Sequence, residues 1–170
     1  MILVRNAAIN DLPAMLEIYN EIIANTTAVW DYDPDTYEMR EEWFRKKQEQ
    51  RFPVFVAEEN GKIVGFSSLG LFRAWAAYKH TVENSVYVAA DSRGKGIGRL
   101  LLEPLIDAAK ELNIHAIVSG IEASNKASIH LHKQLGFEEV AHFKEVGYKF
   151  GRWMDLKFLE LIVGTGIWVD

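Results

Sequence analysis

The chain has 170 residues, a formal net charge of −5, 49% hydrophobic and 25% charged residues. That length can bury the core of one domain, and the acidic balance argues against a general nucleic-acid binder, which needs a basic face. There is no cysteine, which excludes disulfides, thiolate metal sites and a cysteine nucleophile. No apolar run reaches the roughly 18–20 residues of a membrane span. The opening Met1-Ile2-Leu3-Val4-Arg5 turns polar too soon to read as a signal peptide, so a cytoplasmic location away from membranes is expected.

Met1 to Ala7 reads as a strand, and Asn10-Asp11 as the cap of a helix with Pro13 in its first turn. Leu12, Met15, Leu16, Tyr19, Ile22 and Ile23 recur at helical spacing and predict its apolar face. Asn25 to Pro34 is a loop carrying Thr26, Thr27 and Trp30. Asp35 to Gln50 is a second, charged helix with Tyr37, Trp43 and Phe44 as expected buried contacts. Pro53 to Glu58 and Lys62 to Phe72 predict strands joined by Asn60-Gly61, a strong hairpin signal. An aromatic loop, Arg73 to Thr81, leads to a strand over Val82 to Ala90 and a helix over Ile97 to Leu112. Ile114 to Ile121 is a β-branched strand, and Ser124 to Leu135 a helix closed by Gly136. Glu138 to Val146 and Arg152 to Ile162 complete the strands. With no repeat or linker, residues 1–163 read as a single α/β (α+β) domain and 164–170 as a tail.

One local feature points to an anionic ligand. The strand ending Val86-Tyr87-Val88 feeds into Arg93-Gly94-Lys95-Gly96-Ile97-Gly98 and then an amphipathic helix. Glycines at alternate positions on a strand-to-helix turn expose backbone N–H groups beside the positive end of the helix dipole. Arg93, Lys95 and Arg99 add charge. Three readings stay open on these residues alone. The glycines serve turn geometry only; they bind a dinucleotide, although Arg99 stands where the third glycine would fall; or they bind another phosphate-bearing cofactor. A nucleotide P-loop is excluded because no Gly-Lys-Ser/Thr closes the turn.

Arg-x-x-Gly-x-Gly after a strand resembles the acetyl-CoA signature of the GNAT superfamily of N-acetyltransferases. Asn125 to Phe137, "NKASIHLHKQLGF", is similar to that family's second motif. "TVENSVYV" and "GYKFGRWMD" narrow the likeness to the branch holding phosphinothricin and methionine sulfoximine acetyltransferases, over roughly residues 2 to 160. The resemblance implies a mixed central sheet of six to seven strands flanked by about four helices. It also implies acetyl-CoA as cosubstrate, with its pyrophosphate on the backbone of Gly94 to Arg99 and its pantetheine arm along Val86, Tyr87 and Val88. Asn125 and Ser128 match CoA-contacting positions. A bulge commonly splays this strand from the next to open a cleft, but none is visible in the sequence.

For chemistry, the resemblance assigns Glu83 as the carboxylate beside the acceptor amine and its general base. His132, at the position of a common Tyr general acid, is a candidate proton donor to the departing thiolate. Each side chain also has a plainer reading: an exposed strand residue, and a packed or solvent-facing helix histidine. His130, two positions away, is expected on the surface. A main-chain N–H on Val86 to Val88 is the candidate oxyanion donor. The resemblance builds the acceptor pocket from Arg73, Ala74 and Trp75 with Thr27 and Trp30 opposite, Arg73 being suited to a substrate carboxylate. It implies direct attack without an acyl-enzyme, a small amino-acid-like acceptor, no metal, and a homodimer in which Tyr148 and Trp153 reach the partner. The alternatives are acetylation of protein or peptide amines, and a CoA-binding sensor without turnover.

Overall fold

The computed structural model describes residues 1–164. Most of the tail expected at 164–170 therefore lies outside the described residues. In chain order the elements are β1 (Ile2–Asn6), α1 (Leu12–Asn25), α2 (Tyr37–Glu49), β2 (Val54–Glu59) and β3 (Lys62–Leu71). They continue with β4 (Thr81–Val88), α3 (Ile97–Glu111), β5 (Ala116–Glu122), α4 (Lys126–Gln134), β6 (Glu138–Lys149) and β7 (Arg152–Ile162). The strands form one seven-stranded sheet in the order β1-β2-β3-β4-β5-β7-β6. Its pairs are antiparallel except β4 with β5. This is the expected mixed sheet with four helices.

Alternation along the strands sends side chains to opposite layers. Phe66 faces the cluster of Leu12, Met15, Ile22 and Ile23 from α1 and Phe44 from α2. Its neighbour Ser67 turns the other way and donates to the Leu101 carbonyl of α3 at 3.0 Å. On that side Leu102, Leu105 and Ile106 of α3 pack with Ile117 of β5 and Ile129 of α4. Each such buried side chain contributes roughly 1.5–3 kcal/mol relative to exposure. In the Asn60-Gly61 turn both residues have positive φ, 53° and 79°, the mirror-image turn that suits a two-residue hairpin.

Several local expectations shift. Asp11 does not cap α1 with its side chain. Its carboxylate takes the Ala8 N–H at 2.7 Å and two Arg5 N–H groups at 2.7 and 2.9 Å, because a fixed guanidinium fork outcompetes a single amide. On α1 Ile18 is buried while Leu16 is only partly so. Helix α2 starts at Tyr37, two residues later than Asp35, capped by Thr36, whose hydroxyl accepts from Met39 N–H at 3.3 Å. Tyr37, expected inside, is exposed. Arg40 is buried instead, its guanidinium 3.9 Å from the Tyr19 ring centre and 4.8 Å from that of Trp43. Strand β6 runs on to Lys149, past a register shift between Phe143 and Gly147.

The feature that positions the site is a parting of strands. β4 stays in continuous register with β3 from Leu71↔Val82 to Gly65↔Val88. It pairs with β5 only at Thr81↔Ala116, Val82↔Ile117 and Glu83↔Val118. Beyond those pairs β5 follows β7 as far as Glu122↔Leu156. The two strands therefore diverge after Glu83 without any register shift in β4.

Candidate active site

The parting opens a cleft of about 340 Å³ lined by Glu83 to Tyr87 of β4, Ser119 to Glu122 of β5, Asn125, Ser128 and His132 at α4, Leu156 and Phe158 of β7, and Ala28 to Trp30. Strand alternation gives it two chemically different sides. Glu83 shares one sheet face with Gly120, where an added Cβ would lie 3.2 Å from Glu83 Oε1. Asn84 and Ser119 point to the other face, where both reach His132 Nε2 at 3.0 Å.

Burial pushes the Glu83 carboxyl above its ordinary range, opposed by the charges of Arg73 and Lys47 and by the Gly120 N–H. Lys47 from α2 donates to the Leu69 carbonyl at 2.6 Å, and burial lowers its pKa to about 8. A half-buried carboxylate with a raised pKa, open to a cleft, is suited to accept a proton near neutral pH.

His132 is buried, and burial lowers its pKa, with the hydrogen bond to Ser128 opposing. Its Nδ1 lies 2.8 Å from the Ser128 carbonyl, an obligatory acceptor, so Nδ1 carries the proton. Nε2 then accepts from Asn84 Nδ2 and the Ser119 hydroxyl. In this state Nε2 carries no proton, and His132 would act as a proton donor only after taking one up there. Its exposed neighbour His130 faces solvent as expected. Asn84 Oδ1 is buried without a hydrogen-bond partner, a free acceptor in the cleft wall.

At the glycine turn, Gly94 and Gly96 adopt φ of 77° and 80°, with open space around each Cβ direction. Only glycine holds that backbone without strain. The N–H groups of Ile97 and Gly98 begin α3 and have no intrahelical acceptor, while those of Arg99 and Leu100 take the Gly96 carbonyl at 3.1 and 3.2 Å. Ile97 is buried and anchors the turn, and Gly98 brings α3 close to Leu131. The basic side chains are less committed to the turn than expected. Arg93 pairs with Glu21 at 2.8 Å and reaches the Val88 carbonyl at 3.2 Å; Arg99 pairs with Glu103 at 2.8 Å; Lys95 is exposed. Any anion held at this turn would therefore meet mainly backbone N–H groups. The Val86 and Val88 side chains pack into the core, and the Tyr87 ring meets Tyr19 edge-on and Phe66 at a tilt, leaving their main chain for any ligand contact. Asn125 caps α4 by accepting from Ser128 N–H at 3.1 Å.

The expected acceptor pocket is only partly assembled. Trp30 lines the cleft, and Thr27 sits behind it, donating to Glu122 Oε2 at 3.0 Å. Arg73 acts on Glu83 by charge, its own guanidinium lying over the Phe72 ring at 4.3 Å. Ala74 and Trp75 are exposed and do not line the cleft; Trp75 leans on Tyr78 instead. Leu156 and Phe158 take their place. Tyr148 and Trp153 pack on each other at 5.1 Å, both exposed. Sequence reading also missed Asn84 and Ser119, and gave Glu122 no place in this cleft. Glu122 is buried; its pKa is lowered overall, burial being outweighed by hydrogen bonds from Ser124 and Thr27 and by the charge of Arg152. A carboxylate just before the Asn125 motif was the available signal. Among the described residues no group of three or more His, Asp or Glu could hold a metal ion, and no helix is long and apolar enough to cross a membrane.

Comparison with known proteins agrees with this geometry. The model of the acetyltransferase (GNAT) domain matches residues 4–157. The chain is 44% identical over 159 residues to the L-methionine sulfoximine/L-methionine sulfone acetyltransferase of Pseudomonas aeruginosa, covering 93% of this chain and 92% of that protein. It is 36% identical to the phosphinothricin N-acetyltransferase of Streptomyces coelicolor, covering 92% and 94%. A structure of a putative acetyltransferase from Salmonella typhimurium with its cofactor acetyl-CoA superimposes with a TM-score of 0.98 at 41% identity, covering 100% of this chain and 98% of that one. With the GNAT domain matched over residues 4–157 and relatives matched along nearly their whole length, the chain belongs to the GNAT acetyltransferases and is an acyltransferase.

Proposed function

We propose that this enzyme transfers acetyl from acetyl-CoA to the amine of a small amino-acid-like acceptor of the methionine sulfoximine, methionine sulfone or phosphinothricin type. The observation that carries the reading is the β4–β5 cleft, with the Glu83 carboxylate of raised pKa in its lining and β4 leading on into the glycine turn. The names of the relatives support the acceptor class, and the Salmonella structure supports the cosubstrate.

In this reading the turn from Gly94 to Arg99 holds the pyrophosphate, chiefly through the N–H groups of Gly94 to Gly98, and the main chain of Val86 to Val88, with Asn125 and Ser128, holds the pantetheine arm. Trp30, Leu156 and Phe158 wall the acceptor, and Arg73 offers charge to its carboxylate. Glu83 takes a proton from the ammonium, directly or through a water, freeing the nitrogen lone pair. The amine nitrogen bonds to the thioester carbon, a β4 main-chain N–H steadies the oxyanion, and the carbon–sulfur bond breaks as the nitrogen gives up its second proton through solvent to the departing sulfur, leaving the neutral N-acetyl product and CoA thiol. His132 keeps Ser119 and Asn84 in place on the opposite side. Phe143, Val146, Tyr148 and Trp153, exposed apolar side chains on β6 and β7, supply a surface for the homodimer we place here.

A thiol-release assay with acetyl-CoA and a panel of amino acids, amines and peptides tests the reading. Turnover with the amino-acid analogues supports it. Turnover with peptides alone favours protein acetylation, and tight CoA binding with no turnover favours a sensor.

A further inference from the structure

The far end of β6 holds a buried cation that the chemistry above does not use. Lys149 is 4% exposed. Its ammonium donates to three main-chain carbonyls: Ile23 at 2.6 Å, Thr26 at 3.1 Å and Val29 at 2.8 Å. These belong to the last turn of α1 and the loop after it, more than a hundred residues away in sequence. Ile23 offers one of the four carbonyls that a helix end leaves without a partner, and a cation is favoured at that end of the dipole. Three carbonyls at hydrogen-bond distance match the three donors of an ammonium. Lys149 is therefore fully engaged in fixing one segment.

Its neighbours hold the same segment. Tyr32 donates its hydroxyl to the Tyr148 carbonyl at 2.6 Å. The Trp30 ring lies against the Cα of Gly147 so closely that a Cβ there would collide with the ring. The Trp30 indole N–H turns back to the Thr27 carbonyl at 3.0 Å. Between these contacts Ala28, Val29 and Trp30 form one wall of the cleft.

We infer that Gly147-Tyr148-Lys149 sets the shape of the acceptor wall, with Lys149 as a positioning residue that governs acceptor affinity and selectivity. This rests on the proposed reading that the cleft behind Trp30 receives the acceptor. Without the ammonium, three carbonyls lose their shared donor and the 26–32 loop loses the anchor that defines it. The CoA turn at Gly94 to Gly98 and the Glu83 carboxylate lie on other elements and keep their positions.

The test compares wild type with Lys149→Met and Gly147→Ala in two measurements: steady-state kinetics with methionine sulfone and acetyl-CoA, and amide hydrogen exchange. Lys149→Met is expected to speed exchange in residues 23–32 selectively. It should raise the acceptor KM about tenfold or more, with kcat and the acetyl-CoA KM within about twofold. Gly147→Ala, which leaves the lysine in place, is expected to displace Trp30 and change the ratio of kcat/KM between methionine sulfone and phosphinothricin. It carries the test if Lys149→Met does not fold. Unchanged exchange at 23–32 in a folded Lys149→Met overturns the clamp while leaving the proposed function standing. Faster exchange with an unchanged acceptor KM overturns the acceptor wall. Equal losses for acceptor and acetyl-CoA overturn the positioning role, because they mark general loosening. If wild type acetylates neither amine, the proposed acceptor class falls, and exchange alone decides whether the clamp exists.

Discussion

Replacing His132 by Leu separates a structural hub from a surface histidine. The imidazole accepts from Asn84 Nδ2 and Ser119 Oγ at 3.0 Å and donates to the Ser128 carbonyl. Leu removes the acceptor and leaves two buried donors unpaired. At about 1–3 kcal/mol for each, the loss is about 2–6 kcal/mol, a large share of a typical total of about 5–15 kcal/mol. Urea unfolding read by circular dichroism measures it. The pH dependence supplies a second, independent readout. The folded-state pKa of His132 is lowered by burial, whereas the unfolded value is about 6.5. Below about pH 6.5 the unfolded chain binds a proton that the native protein refuses, so this stability is present above that pH and is lost as pH falls. The slope below about 6.5 should be shallower in His132→Leu than in wild type by up to about 1.4 kcal/mol per pH unit. In a Ser119→Ala, Asn84→Leu background the substitution should cost much less, because its partners are already gone. A change below about 0.5 kcal/mol in the wild-type background, with an unaltered slope, would refute the neutral hub.

Gly96→Ala forces a Cβ into a left-handed backbone at φ 80°. It should cost about 1–2 kcal/mol and weaken acetyl-CoA binding more than acceptor binding, as calorimetry with CoA would show. Asp11→Ala strips Arg5 and the Ala8 N–H of their shared acceptor, costing about 1–3 kcal/mol at neutral pH in thermal unfolding. The Arg5 hydrogen bond holds the Asp11 carboxyl below its ordinary range. That contribution is present above about pH 3.9 and disappears as pH falls through the lowered folded-state value, so wild type and variant should converge in acid.

Local rules carried much of the fold. Asn60-Gly61, the apolar spacing of α3 and the cap at Asn125 are each set by a few consecutive residues, and each stands where expected. The cofactor motifs were legible for the same reason, since a helix N-terminus with left-handed glycines is a local device. What failed depends on partners far along the chain. Arg40 and Lys149 carry no local sign of burial, because Tyr19 and Trp43, or the α1 carbonyls, cover them from elsewhere in the chain. Tyr37 lost its expected place to Arg40 in that way. The parting of β4 from β5 has no residue of its own: it follows from β5 pairing with β7, whose strand is over thirty residues later. Leu156 and Phe158 line the cleft where Ala74 and Trp75 do not, and contributions from β7 cannot be seen in the Arg73 loop.

The central claim, that Glu83 removes the acceptor's proton in the β4–β5 cleft, is tested most directly by Glu83→Gln. The amide keeps the shape and discards the base. Burial raises the native carboxyl's pKa, so its ionisation disfavours the fold as pH rises through that range. The variant should therefore be at least as stable as wild type at neutral pH. Its kcat should fall by about 10²–10⁴-fold, with the CoA dissociation constant within about twofold of wild type. Undiminished turnover in a folded, CoA-binding Glu83→Gln would contradict the account.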